Sequence, residues 1–141
     1  MLLKKSTIII VLLLGLHLSC KADTIDNYQL YIKGKLLLNN SGYGSASKER
    51  LILSIASSQE NDSIILFYHH CTTGSGKRKA RLVNASGEAI KQWSFADEAQ
   101  SSGMPIPVAD LSAFKNIKEL SLYYDDDRSG AGIFICFVQV E

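Results

Sequence analysis

Between Tyr28 and Val140 the dominant spacing of apolar side chains is two residues, the repeat of a strand with one face buried. Tyr28, Leu30 and Ile32 alternate with Gln29 and Tyr31, and Leu51, Leu53 and Ile55 repeat the pattern. Ile64 to Tyr68 is a strongly apolar strand, and Leu120, Leu122 and Tyr124 lie opposite Glu119, Ser121 and Tyr123. Ile133 to Val140 is apolar on both faces, as a central strand requires. A chain patterned this way cannot bury itself as helices. It has to pair its strands and stack the resulting sheets.

The punctuation agrees. Gly34 breaks the first run before Leu36 to Leu38, and Asn39 to Ser47 is rich in Asn, Ser and Gly. Ser57 to Asp62 is polar. Arg78 to Val83 and Ile90 to Phe95 flank Asn84, Ala85, Ser86 and Gly87, a hairpin signal with Gly at the usual turn position. Ala96 to Gly103 reads as a loop. Pro105 and Pro107 restrict any strand over Met104 to Val108 to a sheet edge. Asp110 is placed to cap one short helical turn through Phe114, and Asp125 to Gly130 is a turn. Eight or nine short strands with at most one short helix predict an all-β, antiparallel β-sandwich, with jelly-roll and immunoglobulin-like arrangements both open.

The first nineteen residues are of another kind. Lys4 and Lys5 precede the apolar run from Ile8 to Leu18, broken only by Gly15 and His17. Eleven residues are too few to cross a bilayer, which takes about 20, but they suit the core of an export signal. Leu16, His17, Leu18, Ser19 and Cys20 resemble the lipobox of bacterial lipoproteins, with the small Ser19 directly before the cysteine and His17 where that family places Leu. The resemblance covers only the leader. It implies cleavage before Cys20 and acylation of that cysteine, hence a signal peptide over 1–19, a lipidated tether over 20–27 and a single β domain over 28–141. Lys21 and Asp23 look like the charged sorting residues of some surface-exposed lipoproteins. Cleavage after Ala22 and an uncleaved anchor are the alternatives.

Three cysteines are an odd number for an exported protein. Lipidation of Cys20 would leave Cys71 and Cys136 as an even pair for an oxidising compartment. A bridge between them would close a loop of 65 residues, worth about 4 kcal/mol in the chain-entropy account. The alternative is a pair of buried thiols.

The leader removes two of 15 cations, leaving 13 against 14 anions. That balance gives no basis for nucleic-acid binding. Lys77, Arg78 and Lys79 follow Gly74 and Gly76, a backbone and charge pattern able to receive an anion, without P-loop spacing. Trp93, Tyr43, Tyr123 and Tyr31 could form a platform for a sugar or peptide, and Tyr31 and Tyr123, which alternate away from the core faces, are the better surface candidates. Trp93 and Phe95 are expected in the core. His69, His70 and Cys71 supply too few ligands for a structural metal site, so neither metal nor cofactor is expected. Asp125, Asp126 and Asp127 lack the spacing of a calcium loop, although they could pair with the basic segment. Asn39, Asn61 and Asn84 begin sequons that carry no weight behind a bacterial-type leader. No catalytic motif is present. The expectation is a non-enzymatic module held at the cell envelope, outside the cytoplasm, through the acyl chains on Cys20, binding a protein or glycan. A structural or accessory subunit of an envelope assembly is the second reading, and a small hydrolase using His69 or His70 the third.

Overall fold

The computed structural model describes residues 27–41, 50–53, 61–69, 76–95, 102–127 and 132–140. Cys20, the leader, Tyr43, His70, Cys71 and Gly74 lie outside them. The described residues form nine strands: β1 (Asn27–Ile32), β2 (Lys35–Ser41), β3 (Arg50–Leu53), β4 (Ser63–His69), β5 (Arg78–Asn84), β6 (Ala89–Phe95), β7 (Met104–Pro107), β8 (Leu120–Asp126) and β9 (Ile133–Val140). One short helix, α1 (Val108–Ser112), connects β7 to β8.

The strands make two sheets, one of order β2-β1-β4-β7 and one of order β3-β9-β8-β5-β6. This is the all-β sandwich that the period-two pattern requires. Every pairing is antiparallel except one: β3 runs parallel to β9, Arg50 beside Phe137 through Leu53 beside Val140. Parallel neighbours need a long connection. β3 and β9 meet that condition, because β4 to β8 lie between them in the chain.

Turn chemistry sets the registers. Lys33 and Gly34 both have positive φ, 48° and 76°, as a two-residue type I′ hairpin between β1 and β2 demands. At the β5–β6 turn, Asn84 Oδ1 accepts from the backbone N–H groups of Ser86 and Glu88, both at 3.0 Å. Gly87 follows in the left-handed region. β7, with its two prolines, pairs only with β4 and occupies a sheet edge, where a missing N–H costs little.

Two local expectations need correction. Asp110 does not cap the helix. The helix begins at Val108, directly after Pro107, whose ring sets φ at −62°, and no side chain caps it. Asp110 lies in the first turn instead. Its Oδ2 accepts from Trp93 Nε1 at 2.7 Å and lies 3.3 Å from Lys91 Nζ. Nor does the chain turn at Asp125: β8 continues through Asp126, because Asp125 and Asp126 pair in register with Lys79 and Arg78 of β5.

The core lies between the sheets. β4 and β8 bury alternate residues along their lengths. Leu30, Leu66 and Ile106 of the first sheet and Leu82, Leu122 and Ile135 of the second are almost fully buried. Trp93 joins this cluster and Phe95 packs against it. A polar tie crosses the core where Tyr28 Oη donates to the carbonyl of Ile135 at 2.9 Å. Tyr68 stacks on Tyr124 of the opposite sheet, centroids 4.1 Å apart and planes 8° from parallel.

The Trp93–Asp110 bond predicts a pH effect. The indole N–H, and then Lys91, hold the Asp110 carboxyl below the usual aspartate value. A carboxyl depressed on folding adds stability above its unfolded pKa and loses it as pH falls through the folded one. Asp110→Asn is therefore expected to leave a shallower decline of urea midpoint between about pH 5 and pH 2 than the parent shows. Parallel declines would contradict this.

Candidate functional site

The outward face of the four-stranded sheet carries the site. Side chains that alternate away from the core on β1 and β4 meet there in register, Gln29 beside Phe67 and Tyr31 beside Ile65. β2 adds Asn39 opposite Gln29. Together Gln29, Tyr31, Gly34, Ile65, Phe67 and His69 line a depression of about 540 Å³, within the usual range for a small-molecule site.

Its aromatic part is ordered by ring contacts. Tyr31 meets Phe67 edge to face, centroids 5.6 Å apart and planes at 90°. His69, two residues along the same strand, lies nearly parallel to Phe67 at 6.5 Å. The missing side chain of Gly103 makes this possible: a Cβ there would overlap the Ile65 side chain and come within 2.9 Å of Phe67 Cζ. The polar part is a short relay. Tyr31 Oη donates to Gln29 Oε1 at 3.1 Å, and Gln29 Nε2 donates to Asn39 Oδ1 at 3.4 Å. Among the described residues, the side chains lining the depression include no Lys, Arg, Asp or Glu.

The residues singled out from sequence are distributed over the molecule. Tyr31 is in the depression. Tyr123 is on the outward face of the other sheet, so the two tyrosines do not share a platform. Beside Tyr123 are Phe134 at 5.6 Å and the guanidinium of Arg81 at 5.7 Å from its ring centre, and Phe134 meets Phe137 at 5.0 Å. Lys77, Arg78 and Lys79 diverge. Lys77 is exposed, and its backbone N–H reaches Asp127 Oδ2 at 3.3 Å. Arg78 turns into the sandwich, donating from Nη1 to the carbonyl and from Nη2 to the hydroxyl of Ser102, each at 2.9 Å. Lys79 alternates outward. The three cations therefore share no cradle.

The acidic run does meet the basic strand. Asp125 makes a two-pronged ion pair with Arg81, through Nε to Oδ2 and Nη2 to Oδ1, the latter 2.8 Å, and this raises the Arg81 pKa. Asp126 is buried and accepts from Tyr124 Oη at 3.4 Å, while Asp127 is exposed. Asp126 faces the core, while Asp125 engages Arg81 and Asp127 the Lys77 backbone N–H, so the three carboxylates do not converge. Among the described residues no group of three or more His, Cys, Asp or Glu side chains could hold a metal ion.

Cys136 is buried on β9, and its expected partner Cys71 falls outside the described residues. Among the described residues no helix is long and apolar enough to cross a membrane. Gln29, Asn39 and Phe67 were not marked by the sequence reading. The available signal is the alternation of Gln29 with Leu30; Phe67, inside a run apolar at every position, gives none. No protein-family model, curated protein or solved structure matches this chain.

Proposed function

We propose that this chain is an exported lipoprotein, tethered at the envelope through acyl chains on Cys20, whose β-sandwich acts as a non-enzymatic binding module for a protein or glycan. The observation that carries the binding reading is the depression at Gln29, Tyr31, Phe67 and His69, where ring surfaces and amide groups converge on an outward sheet face. These groups stack and exchange hydrogen bonds, which suits holding a ligand rather than transforming it. The leader resembling a lipobox supports the tether, and two or more acyl chains suffice for stable anchoring.

Intact mass of protein purified from membranes tests the tether. The expected species begins at an acylated Cys20, and Cys71 and Cys136 resist alkylation until reduced. A soluble species beginning at Asp23 would remove the anchor, and thiols that alkylate without reduction would remove the bridge. For the binding module, Phe67→Ala is expected to abolish retention of envelope material by the purified protein, whereas Tyr123→Ala leaves it intact.

A second reading, a structural subunit of an envelope assembly, draws support from the other outward face. Ile52 is 54% exposed there, in the same sheet as the Tyr123–Phe134–Phe137 ring cluster, and exposed apolar surface of this kind marks protein contacts. Purification in a fixed-stoichiometry complex that Ile52→Asp disrupts would favour this reading.

A further inference from the structure

We infer that the ligand of the depression is an uncharged glycan, with a sugar ring laid against Phe67 and Tyr31 and its hydroxyls read by Gln29 and Asn39. The inference rests on the binding-module reading and names the ligand class for the same site. Three features of the lining select that class. The first is charge. Among the described residues no Lys, Arg, Asp or Glu lines the depression, so the described lining offers no carboxylate to a basic peptide and, apart from the His69 imidazole, no cation to a phosphate or an acidic peptide.

The second is the mixture of surfaces. Phe67 and Tyr31 present half-buried ring area, which rewards an apolar patch. The carboxamides of Gln29 and Asn39 and the Tyr31 hydroxyl lie alongside, already linked to one another. A purely apolar knob from a protein partner would cover those amides and strip their water without replacing it, a cost that an unsatisfied polar group exacts in full. A pyranose ring avoids that cost. Its C–H face packs on aromatic carbon while its equatorial hydroxyls both donate and accept.

The third is capacity. Asn39 uses Oδ1 toward Gln29, and its amide nitrogen carries two donors. Asn39 is exposed at the margin of the site, which places those donors where ring hydroxyls would project. The relay from Tyr31 through Gln29 to Asn39 fixes the amide orientations before a ligand arrives, so little ordering remains to be done on binding.

The test uses the full mature protein in detergent, labelled with nitrogen-15, titrated with two neutral probes: a β-1,4-linked N-acetylglucosamine tetrasaccharide and a β-1,4-linked glucose tetrasaccharide. At least one is expected to shift the side-chain amide signals of Gln29 and Asn39 and the backbone signals of Phe67 and His69. Phe67→Ala should then weaken binding about tenfold or more. Gln29→Ala, which leaves the rings in place, should weaken it severalfold, and Tyr123→Ala should not change it. Silence of these signals at about 10 mM of both probes would overturn the inference. So would shifts confined to Tyr123 and Phe134. If the sugars are silent yet Phe67→Ala still abolishes retention of an envelope protein, the glycan class fails and the binding module stands. If neither sugar nor envelope material is held, both fail.

Discussion

Replacing Tyr68 by alanine is expected to lower the unfolding free energy by about 4 kcal/mol, near the upper part of the range for truncating a large buried ring. Tyr68 is 1% exposed and stands between two other rings, Tyr124 at 4.1 Å from the facing sheet and Tyr28 at 6.4 Å on the neighbouring strand. Its loss removes ring contact on both sides and opens a void where the two sheets meet. The surrounding strands are held in register by β1–β4 pairing and cannot collapse far into it. Urea denaturation gives the number directly. Tyr68→Phe, which keeps the ring, should retain most of the stability. A loss below about 1 kcal/mol for the alanine variant would mean that the sheets close over the gap and that the stack is not what spaces them.

The second large effect concerns a charge inside the sandwich. Arg78 is 6% exposed and Asp126 8% exposed, and the two are directly paired in register across β5 and β8. Arg78 also makes two hydrogen bonds to Ser102, so it fixes the start of β5 to the chain entering β7. Arg78→Ala is expected to cost about 3 kcal/mol, because it removes two charge-assisted hydrogen bonds to Ser102 from a buried guanidinium. Arg78→Lys, which keeps the charge without the fork of two donors, should recover less than half of that loss. A loss below about 1 kcal/mol for the alanine variant would show that the Ser102 contact does not hold the start of β5.

Most of the fold was legible because period-two alternation reports burial directly. Leu120, Leu122 and Tyr124 were read as one face of a strand, and they are the buried face of β8. The two prolines of β7 marked an edge, and β7 is an edge. What alternation does not report is which sheet a strand joins. Tyr31 and Tyr123 obeyed the same rule for outward residues, yet they stand on opposite sides of the sandwich. The parallel course of β3 was equally hidden, since strand direction depends on long connections and not on the four residues Arg50 to Leu53.

Within the site, Tyr31 was visible by its position between Leu30 and Ile32. Phe67 was not, because Ile64 to Tyr68 is apolar at every position and its two faces cannot be told apart by composition. Gln29 and Asn39 become neighbours only through the register that the Lys33–Gly34 turn imposes, a long-range fact encoded in two backbone angles. By sequence Asp125 opens a turn whose acids could pair with the basic segment, without a stated partner. Its ion pair with Arg81, 44 residues away, instead extends the strand.

The position of β9 has a kinetic consequence. It lies between β3 and β8 in the five-stranded sheet and also receives the Tyr28 hydroxyl from the other sheet. A polypeptide emerging N-terminus first can form the β1–β2 and β5–β6 hairpins early, because their partners are close in sequence. It cannot close its larger sheet until Ile133–Val140 is available, because both β3 and β8 pair with that strand. Such non-local closure slows folding relative to local pairing. On this topology the larger sheet is completed last, when β9 takes its place between β3 and β8.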